Sequence, residues 1–164
     1  MAEGPGFDLA KMTTAAKIIL VSGILYLINL FLPWNKACFG GGSIEGFEIP
    51  SACASVNGLH GLGVINLILV LVIIAMEIII IMGLENNMPM EAAQRQMIGS
   101  GLIGLLLILT LIKILVDNEA LSWPAWLGLI LAAVMAYGGF MRFQEAQAGG
   151  GGTAGGGGDA SGLS

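Results

Sequence analysis

Charge is the scarcest commodity in this sequence. Only 10% of its 164 residues are Asp, Glu, Lys or Arg, where a soluble domain carries about 25%. A chain so poor in polar surface cannot cover itself against water. With 56% hydrophobic residues, the solvent that suits it is lipid. Histidine is reduced to His60 and cysteine to Cys38 and Cys53. There is no second histidine, the two cysteines are expected to be bonded to each other, and the serines of the apolar stretches have no base at helical spacing, so no catalytic constellation is read. The formal charge of −5 is thinly spread. Without a basic run interleaved with aromatics, nothing points to nucleic acid.

What the chain does have is length in its apolar stretches. Crossing a bilayer takes about 20 apolar residues in a helix. Four stretches qualify, from about Ala15 to Leu32, Leu62 to Met82, Met97 to Val116 and Trp123 to Phe143. The first stops at "LPW", where Pro33 ends a helix and Trp34 suits an interface. The connections after the second and third are short. The expected fold is an all-α membrane protein, an antiparallel bundle of four transmembrane helices over 15–143, with an outer loop at 34–61 that carries a short β-hairpin. Residues 1–14 read as a cytoplasmic segment in which Phe7, Leu9 and Met12 can lie against headgroups. The glycine-rich end, 144–164, reads as a disordered cytoplasmic tail.

Orientation follows the basic residues near the span ends. Lys11, Lys17, Arg95 and Arg142 fall on one side, Lys36 and Lys113 on the other. The majority side is cytoplasmic, which places both ends of the chain there and the 34–61 loop outside. The first span reads as a retained signal anchor, because no small-x-small site precedes the polar loop. In that loop, "IEGFEI" alternates like a short strand between turn-forming "GGGS" and "EIPSA". Facing an oxidising compartment, Cys38 and Cys53 are expected to form a disulfide worth about 3 kcal/mol. Adding His60 gives no metal spacing, so no metal or other cofactor is expected.

Two glycine patterns need sorting. "GSGLIG" at Gly99–Gly104 matches a dinucleotide fingerprint in letters alone, for no strand precedes it. It reads instead as a small-xxx-small contact through Ser100 and Gly104. In the fourth span, Gly128, Ala132 and Ala136 recur every four residues, with Gly139 continuing the seam, which suits close helix packing. "LSWPAW" puts Trp123 and Trp126 in an aromatic belt, with Pro124 in a helix's first turn.

Polar residues inside the spans are few, and each needs a partner. Glu77 interrupts "LVIIAMEIIII" on the cytoplasmic side of its span's centre. Counting ~1.5 Å per residue, Lys17 matches its depth within ~3 Å, so Lys17–Glu77 is the expected intramembrane pair. Arg142 is the second candidate, somewhat nearer the surface. Asn29, Asn66, Thr110 and Lys113 fall at similar depths as an outer polar layer. Asn66 and Glu77 share one face of the second span, as do Ser22, Tyr26 and Asn29 of the first.

With Lys17, "LFLPW" closing the first span, a cysteine-containing loop, four spans and a glycine-rich end, the whole chain resembles the small four-span membrane proteins of actinobacterial type. The resemblance is one of layout and carries over no residue roles. Claudin-like tetraspans share "W…C…C" but have a "GLW" that is missing here. Small multidrug transporters carry their glutamate in the first span, not the second. The functional expectation is a multi-pass plasma-membrane protein, without catalysis, acting as an accessory or structural component of a membrane assembly. Its expected partners are the bilayer and another membrane protein or a second copy. The alternative is a small proton-coupled or cation transporter that uses Glu77 as an oligomer.

Overall fold

The structure, a computed structural model, describes residues 12–44, 47–49, 51–84, 92–117 and 121–150. The expected lead-in contacts of Phe7 and Leu9 and the tail beyond residue 150 lie outside them. Helix α1 (Thr14–Leu30) opens on Thr13, whose hydroxyl accepts from the Ala16 amide at 3.2 Å. Its last turn closes at Phe31, and Pro33 then forces extended backbone. The chain goes on into β1 (Pro33–Phe39), β2 (Gly42–Ile44), β3 (Phe47–Ile49) and β4 (Ala52–Asn57). Three more helices follow: α2 (Gly63–Ile81), α3 (Ala92–Val116) and α4 (Trp123–Gly150).

Two of the sequence boundaries move. Helix α3 begins at Ala92 rather than near Met97, because "AAQRQ" is made of strong helix formers. Helix α4 passes Phe143 and runs to Gly150 for the same reason, since "FQEAQA" favours helix. The first residues of the expected disordered tail are therefore helical.

Neighbouring helices pack in a closed ring, α1 on α2, α2 on α3, α3 on α4 and α4 back on α1. At one end Asn29 of α1 bonds the carbonyl of Pro124 in α4, and Lys113 of α3 bonds the His60 carbonyl just before α2. At the other end Glu77 of α2 meets Arg142 of α4, and Ser100 of α3 meets Gly139 of α4. Successive helices therefore run antiparallel, as expected.

The buried positions show why the ring closes. They alternate by threes and fours: Ala15, Ile19, Ser22, Tyr26 and Asn29 on α1; Gly63, Asn66, Val70, Ile73 and Glu77 on α2; Ile103, Leu106, Thr110 and Lys113 on α3. On α4 the same spacing takes Ala125, Gly128, Ala132, Met135, Gly139 and Arg142. That is the seam spacing of left-handed helix packing. The outward faces are apolar as well, with Val21, Ile28, Ile68, Leu71, Ile108, Leu115 and Ile130 all exposed. The bundle is polar in places inside and greasy outside, the reverse of a water-soluble fold. Helices α2, α3 and α4 are long and apolar enough to cross a bilayer, and α1 is a shorter apolar helix of 17 residues.

The expected hairpin is present and longer than the sequence suggested. Strands β1 and β4 pair antiparallel, with Cys38 opposite Cys53. Stepping four residues inward on each side lands on Gly42 opposite Ile49, the start of the β2–β3 ladder. Both ladders thus belong to one hairpin in one register. Gly40 and Gly41, at φ 84° and 89°, sit where the outer ladder stops, a backbone turn open to residues without a Cβ. "IEGFEI" is not a single strand, because Ile44 pairs back onto Phe47.

Candidate functional site

Helix α2 presents Glu77 inward one turn from its end, and α4 presents Arg142 in the last position of its inner stripe. The Arg142 Nη1 donates to Glu77 Oε1, and Nη2 donates to Oε2 at 2.7 Å. Both side chains are buried. This parallel fork is the geometry a guanidinium offers and an ammonium does not. The pair borders a small enclosed space between α2, α3 and α4 that Ile73, Arg95 and Ile103 also line. It has room for about one water molecule.

The expected Lys17–Glu77 pair is therefore corrected to Arg142–Glu77. Lys17 matches Glu77 in depth, yet its side chain projects outward from α1 and is exposed. Depth along the axis does not fix direction around it. On α1 the inward positions flanking Lys17 are Ala15 and Ile19. Arg142 is reached because α4 carries its inner stripe one step further, to the level of Glu77.

Nearer the hairpin, the outer polar layer resolves into two bonded groups. Thr110 Oγ1 lies 2.8 Å from the Leu106 carbonyl and gives its only proton there. The Tyr26 hydroxyl, 2.7 Å from Thr110 Oγ1, must then donate to it, and its own oxygen accepts from Asn66 Nδ2 at 3.1 Å. One directed chain, Asn66 to Tyr26 to Thr110 to a backbone carbonyl, thereby ties α2, α1 and α3 together. Tyr26 is the hub of this layer. Sequence reading placed it on the right face but not at the centre, although its period with Ser22 and Asn29 was the available signal.

The second group is built around Trp34. Its indole is buried rather than interfacial, packs edge-on to Tyr26 with ring centroids 6.5 Å apart, and donates to the Asn29 carbonyl at 2.9 Å. Asn29 Nδ2 donates in turn to the Pro124 carbonyl at 2.9 Å. Lys113 lies 5.8 Å from the Trp34 ring centroid, donates to the His60 carbonyl at 2.7 Å, and pairs with Asp117 at 2.9 Å. That Lys–Asp spacing of four was readable as a helix pair and was missed. Asn29 and Lys113 thus belong to the plug under the hairpin, while Asn66 and Thr110 belong to the Tyr26 chain. The amide oxygens of Asn29 and Asn66 are buried and make no hydrogen bond among the described residues.

The hairpin is clamped onto this end. Ser122 donates its amide to the Trp34 carbonyl at 2.7 Å, and Asn35 Nδ2 donates to the Asp117 carbonyl at 3.1 Å. The Cys38–Cys53 disulfide is formed, closing a sequence separation of 15. Among the described residues no cluster of three or more His, Cys, Asp or Glu is placed to hold a metal ion.

The packing seam on α4 is corrected in part. A Cβ on Gly128 would sit 2.6 Å from Asn29 Nδ2 and from a Trp34 ring carbon, so glycine is required for α4 to close on α1. Ala132 is fully buried beside it, while Ala136 lies only partly buried at the margin of the core. The seam follows the three–four spacing, not a strict four, and continues through Met135 and Gly139. Gly104 meets nothing within 4 Å, so the proposed Ser100–Gly104 contact is not a close one; Ser100 instead donates to the Gly139 carbonyl at 3.2 Å. Trp123 and Trp126 are exposed at the start of α4, as an aromatic belt requires.

No known protein family, curated protein or solved structure matches this chain.

Proposed function

We propose that this chain is a four-span protein of the plasma membrane that serves, without catalysis, as an accessory or structural component of a membrane assembly. An apolar outer surface around buried polar contacts suits a protein dissolved in lipid. The disulfide favours an extracytoplasmic hairpin. Among the described residues, Lys36 and Lys113 are the basic residues at the hairpin end. Lys17, Arg95 and Arg142 lie at the opposite end, which favours a cytoplasmic setting there.

The observation that carries the accessory reading is the state of Glu77. Both its oxygens are taken by Arg142, beside a space too small for a substrate. A carboxylate held in this way serves to tie α2 to α4 across the bundle. The hairpin is then the element left to meet a partner, with Phe39 exposed along β1.

A photoreactive residue at position 39, expressed in native membranes, tests this. A single defined protein adduct at position 39, absent when the same group replaces the exposed Leu115 on α3, is the expected result. Equal, diffuse labelling from both positions would defeat it. A cargo-dependent proton signal in liposomes that Glu77→Gln abolishes would replace it with the transporter reading.

A further inference from the structure

A second feature lies on the outside of the bundle, between α1 and α4. There a groove of about 360 Å³ runs along the surface, walled by Ile18, Val21 and Leu25 from α1 and by Leu131 and Val134 from α4. Its floor is Ser22, whose hydroxyl is turned away to the Ile18 carbonyl at 2.6 Å, leaving the groove without an offered polar group. Lys17 closes the groove at the end away from the hairpin. Lys17 is exposed and has no carboxylate partner among the described residues. The groove extends from Lys17 to Leu25, about 12 Å at the helical rise.

The combination is specific. A plain lipid-facing surface is a ridge of Leu, Ile and Val; here a hollow and a single cation are aligned along one axis. In a bilayer the exposed Lys17 side chain extends along the apolar surface to bring its ammonium to headgroup level, and the hollow points to the midplane. We propose that this groove is a binding site for one anionic phospholipid, with an acyl chain between α1 and α4 and the phosphate on Lys17. The inference rests on the membrane-spanning reading above. It also gives Lys17 an outward role once Arg142 has taken Glu77.

The test is native mass spectrometry of the chain released from nanodiscs of equal phosphatidylglycerol and phosphatidylcholine. Wild type retains one phosphatidylglycerol per chain in preference to phosphatidylcholine. Lys17→Gln lowers that retention about fivefold, the effect of one basic residue at an anionic surface, whereas Lys36→Gln, at the hairpin end, leaves it unchanged. Val21→Trp and Val134→Trp fill the hollow from exposed positions and remove the adduct, with helical content unchanged by circular dichroism. Glycerophosphoglycerol, the headgroup without chains, does not displace the lipid. Equal retention of the two lipids, equal loss in Lys17→Gln and Lys36→Gln, survival of the adduct in the Trp variants, or displacement by the headgroup alone would each overturn the site. Release of the chain by alkaline carbonate would overturn the membrane reading itself. A chain that stays embedded yet prefers no lipid overturns only the groove.

Discussion

Arg142 grips both carboxylate oxygens of Glu77 across 65 positions of sequence. The contact joins α2 to α4, two helices that lie across the ring from one another and otherwise touch little. It therefore acts as a crossbar, placed where the inner stripes of the two helices reach the same level. A buried pair of this kind is a weak source of net stability but a strong source of register, because a slip of one residue strands two charges in an apolar interior.

From that relationship the mutants can be ordered. Glu77→Leu and Arg142→Met each leave a buried group without its partner and should cost about 3 kcal/mol. The double variant Glu77→Leu/Arg142→Met should recover most of that loss. Lys17→Met should leave the unfolding midpoint where it is, since its side chain points outward. Chemical unfolding in detergent micelles reads all four. Additive losses in the double variant would mean that the two residues do not act as a pair.

The Tyr26 chain predicts coupling of a different kind. Tyr26→Phe removes the proton that Thr110 accepts and the oxygen that Asn66 donates to. Thr110→Val removes that acceptor together with the proton given to the Leu106 carbonyl. Each should cost about 1 kcal/mol, and the two together less than their sum by roughly 0.6 kcal/mol, a usual coupling for helices in lipid. Strict additivity would show that the hydroxyls are held by something other than each other.

How far the sequence reached is clear from these residues. Four helices, a disulfide-tied hairpin and a polar layer near Asn66 and Thr110 were legible, because apolar length, Pro33 and cysteine spacing are local signals. The partner of Glu77 was not. These helices are apolar on all sides, so their hydrophobic pattern gives little contrast to show which face turns inward. Axial depth alone left Lys17 and Arg142 both within reach. The deciding signal was the three–four alternation from Ala125 through Gly128, Ala132, Met135 and Gly139 to Arg142, which reading the small residues alone at intervals of four concealed. Trp34 misled for the opposite reason: it stands at the chain position of an interfacial tryptophan, and only the fold shows that β1 tucks it under the hairpin.

Two glycines give a direct test of packing. Gly128→Ala places a methyl 2.6 Å from Asn29 Nδ2 and the Trp34 ring. Overpacking of that severity should cost about 1–3 kcal/mol. Gly104→Ala meets nothing within 4 Å, and the better helix former should stabilise by up to about 1 kcal/mol. Opposite shifts of the two midpoints are expected. If Gly128→Ala were neutral, α1 and α4 would not approach as closely as described.

The hairpin makes the last prediction. Cys38 and Cys53 face each other directly across the β1–β4 ladder, closing a separation of 15 residues. Opening that link frees a loop worth about 3 kcal/mol of chain entropy, and the exposed β4 strand has little core of its own to offset the loss. The bundle does not depend on it, because Trp34, Asn29 and Lys113 anchor β1 at its first residues. Cys38→Ser/Cys53→Ser should therefore speed amide exchange across 35–56 by roughly a hundredfold while the exchange of α2 and α3 stays unchanged. In intact cells, maleimide should label neither cysteine of the wild type until a reductant is added. Labelling without reductant would place the hairpin in a reducing compartment and reverse the orientation of the whole bundle.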